Sequence, residues 1–460
     1  MIEHTTTECL LFPDYFPKPV LARFDQENGS SDGGALLLKG ANRQYGDLIT
    51  RLSECLQDKR QVGKIDHSLT DLLGQRIYGM ACGYPDANDA ARVGRDPIHK
   101  LLLDRSPEGD GDLASQPTLS RFENTVGPKE LYRMGETLAD RVLERHAQRL
   151  EGKARQVIID LDPTEDPTHG AQQLSFFNGH YDHACYLPVV GFVSFDQEED
   201  QYLFTAVLRP GNAPAVKGAI GILRRVLPRV RGHFPGARIL VRLDGGFAHP
   251  EVLEFLDGQP KVDYVVAMAK NAVLKRTVKV AMRQAGRLSR RSGKTEHLYV
   301  ETSYAARSWA YPRRVIIKAE VVRQEGKKPK DNPRFVITNL RQSPQWIYEK
   351  VYCQRGKVEN RIKELHDGLQ MDRTSCCRFW ANQLRVLMAA AGYILMQELR
   401  LCAAGTDCAQ AQVTTLRERL LKLGARVVTS VRRTVVHFPS TFPYLRTFHK
   451  VSLALGALSG

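Results

Sequence analysis

The chain has 460 residues, of which 42% are hydrophobic and 25% are charged. This length and composition exclude a single small domain and a globally disordered chain, and they suggest two to four domains. The 66 Lys and Arg residues against 51 Asp and Glu residues give a formal net charge of +15, which favours a polyanionic partner such as nucleic acid. Charge alone also fits a basic protein without such a role.

The cysteines and the apolar segments indicate the compartment. Nine cysteines without a Cys-x-x-Cys pair argue against a zinc ribbon and are typical of reduced thiols in a cytoplasm. Residues 1–13 lack the basic and apolar regions of a signal peptide. The longest apolar run, residues 386–396, is too short to span a membrane and is typical of a buried helix. We therefore expect a cytoplasmic protein without a membrane partner, associated with the nucleoid if it binds DNA.

Residues 1–150 are predicted to form a mainly helical domain. The first 40 residues are rich in Pro, Gly and Ser and resemble loops, whereas residues 48–56 and 130–150 place apolar side chains at helical spacing. A helix predicted at 115–124 is either a DNA recognition helix or a packing helix, and the sequence leaves both interpretations open.

At Arg155 the apolar period changes from that of a helix to that of a strand. The predicted elements are a strand that begins at 157–159, strands at 186–195 and 201–209, a helix at 214–230, a strand at 238–243, a helix at 249–256 and a strand at 262–269. Three early strands followed by alternating helices and strands predict an α/β fold with a mixed sheet and helices on its faces. Residues 151–269 would form the first part of this core.

The remaining chain divides into three further segments. Residues 270–343 combine a basic helix with β-rich stretches, residues 344–403 return to helix, and residues 404–460 hold helical and strand patterns. Between residues 270 and 294 there are nine basic residues and no acid. Five of them recur at intervals of four and would form one basic stripe on a helix: Lys275, Lys279, Arg283, Arg287 and Arg291.

Two predicted strands end in acidic residues. Asp160 and Asp162 alternate along the first strand, so both side chains lie on one face, and Asp162 lies nearer the carboxyl end. Asp244 directly follows the apolar strand at 238–243 and precedes two glycines, which permit a close approach of backbone or phosphate. Open α/β sheets place their chemistry at such carboxyl ends.

A third acid lies within the helix predicted at 344–370. Spacings of three and four residues place Tyr352, Arg355, Glu359, Lys363 and His366 along one helical face. Glu359 is therefore surrounded by groups that can donate hydrogen bonds to phosphates while its carboxylate faces a metal ion.

Three carboxylates on separate elements of a basic protein suit phosphodiester chemistry. In-line displacement at phosphorus is stabilised by two divalent cations about 3.5–4 Å apart. Mg²⁺ takes few protein ligands, usually carboxylates, and keeps several waters. We therefore predict that Asp162, Asp244 and Glu359 are the catalytic acids and hold two Mg²⁺ ions, for which Mn²⁺ could substitute.

Each of these features also has a simpler explanation. An Asp at the end of a strand commonly forms a turn or caps a helix. Glu359 and Lys363 form an ordinary i,i+4 pair, and a basic stripe is often only a solvated helix face. The order and the surroundings of the three acids together favour the catalytic interpretation.

The segments around the acids resemble the group 1 DDE transposases of bacterial insertion sequences. Residues Asp162, Pro163 and Thr164 match the family's Asp-x-Thr strand end, which favours Asp162 over Asp160. Asp244 follows an apolar strand, as the family's second Asp does. The acids are 82 and then 115 residues apart, which leaves room for the family's β-rich insertion between the second and third acids.

The third acid lies in a match to the family's helical signature. Tyr352, Arg355 and Glu359 agree in identity and spacing with Tyr, two residues, Arg, three residues, Glu. The family's final Lys falls on His366, and Lys363, one turn earlier, is the other candidate for that position. The resemblance implies that all four flanking residues, Tyr352, Arg355, Lys363 and His366, contact DNA.

The resemblance covers about residues 150–400 and implies a fold and an activity. The core would be ribonuclease H-like, split by the β-rich insertion, and the N-terminal helices would bind the terminal inverted repeats. The protein would be a DNA transposase that cuts and joins double-stranded DNA at transposon ends and target, as a homodimer. The alternatives are a ribonuclease H-like nuclease without strand transfer and a catalytically inactive DNA-binding relative.

Overall fold

The computed structural model describes residues 8–12 and 14–458 of the chain. The expectation about a signal peptide concerned residues 1–13 and falls largely outside the described residues. The first strands are β1 (Cys9–Leu11), β2 (Val20–Ala22) and β3 (Gly29–Ser30). The helices that follow are α1 (Leu36–Gln44), α2 (Leu48–Ser53), α3 (Leu69–Ala81), α4 (Ala87–Arg92), α5 (Pro97–Leu102), α6 (Gln116–Thr125) and α7 (Pro128–Arg149).

Capping and apolar spacing explain why these helices form. At α3, the Ser68 hydroxyl accepts a hydrogen bond from the Asp71 amide, and the Asp71 carboxylate accepts one from the Ser68 amide. At α7, Pro128 occupies the first turn and the Glu130 carboxylate accepts from the Gly127 amide at 2.7 Å. Seven α-helices lie between residues 36 and 149.

The middle of the chain follows the predicted order of strands and helices. Its elements are β4 (Gln156–Pro163), β5 (Asp166–Pro167), β6 (Phe176–Asn178), β7 (His183–Tyr186), β8 (Val189–Phe195), β9 (Tyr202–Val207), α8 (Ala219–His233), β10 (Arg238–Leu243), α9 (Pro250–Asp257) and β11 (Val262–Met268). The predicted strand at 186–195 corresponds to β8, except that Tyr186 ends β7, which pairs with β5 and β6 in a small separate sheet.

The strands of the large sheet define a mixed α/β architecture. Along one half the order is β11, β10, β4, β8 and β9, in which β10 runs parallel to both β4 and β11 while β8 runs antiparallel to β4 and β9. Every residue of β8 is buried, as expected for an inner strand covered on both faces. The parallel trio brings the carboxyl ends of β4, β10 and β11 to one edge.

The basic and β-rich segment continues this same sheet. Its elements are α10 (Ala272–Thr277), α11 (Lys279–Ser292), β12 (Glu296–Tyr304), β13 (Arg313–Val322), β14 (Lys330–Asp331) and β15 (Arg334–Thr338). Strand β15 pairs antiparallel with β11, and β13 and β12 follow it outward, with β14 on β13. Within the described residues the β-rich segment thus extends the core sheet to nine strands.

A helical segment then crosses one face of the sheet. It consists of α12 (Pro344–Trp346), wide π-helical turns at Ile347–Tyr352, a tight 3₁₀ turn at Cys353–Arg355, α13 (Gly356–Lys363) and further π-helical turns at Glu364–Gly368. Ile347, Tyr348 and Val351 pack on Leu240 and Val265, which point from the same face of β10 and β11. This small apolar cluster fixes where the segment lies over the sheet.

The long apolar helix α14 (Phe379–Cys402) unites the N-terminal helices with the core. Twenty-one of its residues are buried, and it packs against α1, α3 and α7 as well as β9. The last elements are α15 (Val413–Leu416), β16 (Ala425–Thr429), β17 (Thr434–His437) and α16 (Leu445–Ala454). In the described part of the chain no helix is both long enough and apolar enough to cross a membrane.

Candidate active site

Asp162 and Asp244 lie side by side at the carboxyl ends of two parallel strands. In the register of β4 and β10, Leu161 pairs with Leu243, and each Asp is the next residue along its strand. Adjacent strands are about 4.8 Å apart, so the two carboxylates lie close together at this edge. The alternation of side chains places both on the sheet face that the 344–368 helical segment covers.

The helical segment delivers Arg355 to the first of these acids. The Arg355 guanidinium lies 2.6 Å from a carboxylate oxygen of Asp162, and both side chains are only 11% exposed. Tyr352 is half-buried, with its ring 5.4 Å from that of Tyr348. Glu359, one turn beyond Arg355, is exposed to solvent.

Electrostatics link Glu359 to the two Asp residues. Burial raises the pKa of Asp162 to about 7, the Arg355 charge opposes that rise, and the charges of Asp244 and Glu359 reinforce it. Like charges raise a carboxyl pKa only when they are close enough to interact. The positive charge of Arg355 and the negative charges of Asp244 and Glu359 therefore act in opposite directions on the Asp162 carboxyl.

Asp160 has a different environment from Asp162. Its carboxylate accepts hydrogen bonds from Nε and Nη2 of Arg242 at 2.8 and 2.6 Å, and both residues are buried. Arg242 also donates to the backbone oxygen of Val351 at 3.2 Å. This bidentate pair satisfies Asp160 and fastens the helical segment to the sheet, which leaves Asp162 as the acid at the open edge.

In the described structure, one oxygen of the Asp244 carboxylate accepts a local hydrogen bond, and the other does not. One carboxylate oxygen accepts from the Gly246 amide at 3.0 Å, which caps the short 3₁₀ turn Gly245–Phe247. The simpler explanation of this residue as a turn cap is therefore correct for one oxygen. The second oxygen has no hydrogen bond to any described residue.

Lys363 and His366 occupy distinct surroundings. The Lys363 side chain is exposed and makes no ion pair with any residue that the structure describes. His366 lies with Nε2 3.4 Å from the hydroxyl of Thr164 and Nδ1 3.6 Å from Asp372. His366 thus touches the Asp-Pro-Thr strand end, and it lines a cleft together with His169.

The sequence did not indicate a role at the site for two residues, Arg209 and Tyr181. Arg209 is buried, and its guanidinium donates to four backbone oxygens between residues 187 and 217, while Nη2 has no hydrogen-bond partner among the described residues. Burial lowers its pKa to about 10, and the charge of Asp244 opposes that change. Tyr181 is half-buried. Burial raises its pKa, and nearby carboxylates, among them Asp162 and Asp244, raise it further. Only the folding of the 165–217 loops brings these side chains to the site.

The predicted basic stripe is exposed, and in the described structure none of its residues makes an ion pair with Asp162, Asp244 or Glu359. All five of its residues are solvent-exposed, and α11 packs on β12 and β13 through Ala281, Ala285 and Ser289. The basic side chains therefore point to solvent, on the side of α11 away from β12 and β13.

One buried group of possible metal ligands occurs outside the predicted site. Among the described residues, Asp32, Cys82 and His99 place one ligand atom each within 4.8 Å of the others. The Lys422 ammonium lies 2.7 Å from Asp32, and His99 Nε2 lies 2.9 Å from its other oxygen. The carboxylate already has its cation, so we assign this group to a buried hydrogen-bond network. All nine cysteines are free thiols.

The fold and site together define an α/β protein with acidic residues at the carboxyl edge of a mixed sheet. The family model described as Transposase DDE domain group 1 matches residues 12–459, and the chain belongs to that family. It is a DDE-type DNA transposase by family, within a class of nucleotidyl-transfer enzymes. The family resemblance inferred from the three acids is confirmed.

No curated protein matches the sequence. One matching solved structure is the cryo-EM structure of a piggyBac transposase synaptic complex with hairpin DNA, which is 10% identical and matches over 84% of this chain and 78% of the other with a TM-score of 0.40.

Proposed function

We propose that this protein is the transposase of a bacterial insertion sequence, which binds the terminal inverted repeats, cleaves there and transfers the strand to target DNA. The observation that carries the proposal is the pairing of two acids at neighbouring strand ends, with a third acid on the helix that covers them. Asp162 and Asp244 are neighbours across two parallel strands, and the helix that bears Glu359 is tied to Asp162 through Arg355. In this proposal Asp162, Asp244 and Glu359 are the catalytic acids.

We assign the core to the ribonuclease H-like class. Three antiparallel strands followed by two parallel ones, in the spatial order β9, β8, β4, β10 and β11, support this assignment. In it, residues 151–269 and 344–403 form the catalytic core, residues 270–343 form the insertion, residues 1–150 bind transposon ends, and residues 404–460 add further contacts.

The donor set fits two Mg²⁺ ions, or Mn²⁺ in their place. All three candidate ligands are carboxylates, which hard divalent cations prefer, and Asp244 keeps a carboxylate oxygen without a hydrogen bond to any described residue. The three need not lie within a single coordination sphere, because two ions about 3.5–4 Å apart share them. When bound, the ions would stabilise charge on the attacking and leaving oxygens.

The flanking residues would bind the DNA backbone. Arg355 and Tyr352 would hold phosphate next to the scissile bond, with Lys363 and His366 on the following turns of the same face. The exposed stripe Lys275, Lys279, Arg283, Arg287 and Arg291 would contact phosphates farther along the duplex. Arginine suits the inner position because its planar fork binds phosphate in a bidentate manner.

The proposed reaction has two displacements at phosphorus. Water attacks the phosphodiester at the transposon boundary, so a P–O bond forms to water while the bond to the 3′ oxygen breaks and leaves a 3′-hydroxyl. That hydroxyl then attacks a second phosphodiester, on the opposite strand or the target, and displaces its 3′ oxygen. We place this reaction on double-stranded DNA in the bacterial cytoplasm, at the nucleoid, carried out by a homodimer.

The test compares the wild type with Glu359→Gln on a duplex that carries the element's own terminal repeat, with Mg²⁺. We expect the wild type to nick at the repeat boundary and Glu359→Gln to bind equally without cutting. Equal cleavage by both proteins would contradict the assignment of Glu359.

The rival functions are separated in the same assay. Cleavage without joined products would favour a nuclease without strand transfer, and repeat binding without cleavage by the wild type would favour an inactive DNA-binding relative. Lys357→Gln is the matched control, because Lys357 lies on the same helix and pairs with Glu199 at the surface. Its cleavage should equal that of the wild type.

A further inference from the structure

The segment of described residues 8–12 and 14–27, here called the acidic arm, forms a hairpin that stands apart from the rest of the described chain. Strands β1 and β2 pair antiparallel, with Cys9 opposite Ala22 and Leu11 opposite Val20. Among the described residues, its one ion pair joins Arg23 to Glu8 within the arm. No hydrogen bond of the described chain joins the arm to a residue beyond Gly29, and no arm residue belongs to either hydrophobic core.

The arm exposes an unusual amount of apolar surface. Tyr15 is 84% exposed and Phe24 is 86% exposed. The exposed large apolar side chains of the arm are Leu10, Phe12, Tyr15, Phe16, Val20, Leu21 and Phe24. A two-stranded hairpin alone is marginally stable in water, and a contiguous exposed apolar patch marks an interaction site. The arm therefore requires a partner surface.

The charge of the arm selects among possible partners. It contains four acidic and two basic residues, a net charge of −2, so the rest of this +15 chain carries +17. Negative charge repels the phosphates of DNA, whereas it is attracted to the basic surface of this same protein. A second copy of the chain therefore fits the arm better than nucleic acid does.

A complementary surface is present near the C-terminus. The hairpin of β16 and β17, residues 425–438, contains three arginines and no acid. Arg432 and Arg433 are exposed, and Val431 at the turn is fully exposed. In the described structure β17 is the edge strand of its small sheet. An edge strand presents unpaired backbone groups that another strand can join.

We propose that the acidic arm of one copy docks on the β16–β17 hairpin of a second copy, and reciprocally. Such an exchange is self-complementary, as a twofold dimer requires. It buries the exposed aromatic side chains and pairs Asp25 and Glu27 with Arg432 and Arg433. This surface goes beyond the proposed function, which requires a dimer on DNA and specifies no contact. If the contact fails, repeat binding and cleavage can still be assayed separately.

The test reverses charge on each surface in turn. One variant carries Asp25→Arg and Glu27→Arg, and the other carries Arg432→Glu and Arg433→Glu; all four side chains are exposed, so folding should be unaffected. We expect a wild-type dimer by analytical ultracentrifugation and at least tenfold weaker self-association for each variant alone. Mixing the two variants should restore a heterodimer, because both contacts then pair opposite charges.

The mixing step distinguishes exchange between copies from folding of the arm onto its own chain. A wild-type monomer, variants that dimerise like the wild type, or variants that fail to rescue each other in the mixture would each overturn the proposal. The apolar part of the contact is tested with Phe12→Ser and Phe24→Ser, which should also weaken self-association. Val62→Ser is the matched control, because Val62 is 85% exposed outside the arm.

Discussion

Two buried carboxyls lie close together in the chain, Asp162 near the end of β4 and Asp166 in β5, and they have different partners. Asp162 faces the Arg355 guanidinium, whereas Asp166 accepts a hydrogen bond from the Thr374 hydroxyl, whose oxygen is 2.9 Å from each of its own oxygens. Burial raises the pKa of Asp166 to about 8, against the lowering effect of Thr374. A buried carboxyl without a paired cation favours its protonated form.

This environment predicts a stability that falls as pH rises. The folded pKa of Asp166 exceeds its unfolded value of 3.8, so its contribution is fully present below pH 3.8 and is lost as pH rises through about 8. We expect Asp166→Asn to be more stable than the wild type by about 1–3 kcal/mol at pH 8.5 and to gain less at pH 5.5. Urea unfolding at both pH values measures this.

The control for this prediction is Glu199→Gln, because the Glu199 side chain is 77% exposed. It should change the free energy of unfolding little at either pH. A constant difference between Asp166→Asn and the wild type at the two pH values would contradict the buried-carboxyl explanation.

At the scale of elements, the helix that bears Glu359 is anchored to α14 by a buried carboxylate. Glu364 accepts from the Tyr393 hydroxyl at 2.6 Å, from Arg400 at 2.7 Å and from Arg361 at 3.1 Å. Burial would raise the pKa of Glu364, but Arg400 and the hydrogen bonds hold it below its ordinary value. The charge of Glu364 is therefore retained inside the protein, and its partners set the position of the helix that bears Glu359.

Removal of one partner should loosen this anchor. Tyr393→Phe leaves a carboxylate oxygen with one donor fewer, and we expect a loss of about 1–2 kcal/mol in the free energy of unfolding, together with slower cleavage. Denaturant unfolding and the cleavage assay measure the two effects. Tyr132→Phe is the control, because Tyr132 is 53% exposed; if both variants unfold alike, Tyr393 is not part of the anchor.

The basic helix α11 makes a second prediction at this scale. Each phosphate contact contributes about 0.9 to the slope of log affinity against log salt. The triple variant Lys279→Gln, Arg283→Gln and Arg287→Gln should therefore lower that slope by about 2–3 for duplex DNA, measured by fluorescence anisotropy. If the slope of log affinity against log salt does not change, the stripe does not contact DNA and is only a solvated helix face.

The matched control for the stripe neutralises three lysines elsewhere. Lys153, Lys217 and Lys261 are also exposed and lie outside the segments proposed to bind DNA, and their change to Gln removes the same charge from the whole protein. If both triple variants lower the slope equally, net charge and not the stripe determines DNA affinity.

At the scale of the whole molecule, DNA binding and catalysis should be separable by metal removal. In the proposed function, the carboxylates Asp162, Asp244 and Glu359 would repel a phosphodiester until cations neutralise them, whereas the basic surface would bind DNA without cations. We expect EDTA to abolish cleavage of the terminal-repeat duplex while binding persists, and Mg²⁺ or Mn²⁺ to restore cleavage. Cleavage that survives exhaustive chelation would exclude the proposed chemistry.

The architecture gives this separation a structural basis. The acids lie at the carboxyl edge of β4 and β10, while the basic helix α11 packs on β12 and β13 at the far end of the same nine-stranded sheet. A continuous sheet is a rigid support that can hold the two surfaces at a constant spacing. DNA that spans them would be positioned by backbone contacts before it is cut.

The sequence by itself determined the elements of the core and the identity of the family. Apolar runs and their periods predicted β4, β10, β11 and α14, because burial on one or both faces leaves a local pattern. The Asp at each strand end and the Tyr-Arg-Glu spacing predicted the candidate acids and the transposase family. The simpler interpretation of Asp244 as a turn cap was also visible at this level, and it holds for one of its oxygens.

Only the tertiary structure decided how these elements combine. The pairing of β15 with β11, the bidentate bond between Arg242 and Asp160, and the approach of Arg209 to the acids all join residues distant in the chain. Local periodicity contains no information about which strand lies beside which, or about register between distant strands. Those choices depend on the simultaneous packing of the sheet, its covering helices and their buried charges, which exists only in the folded chain.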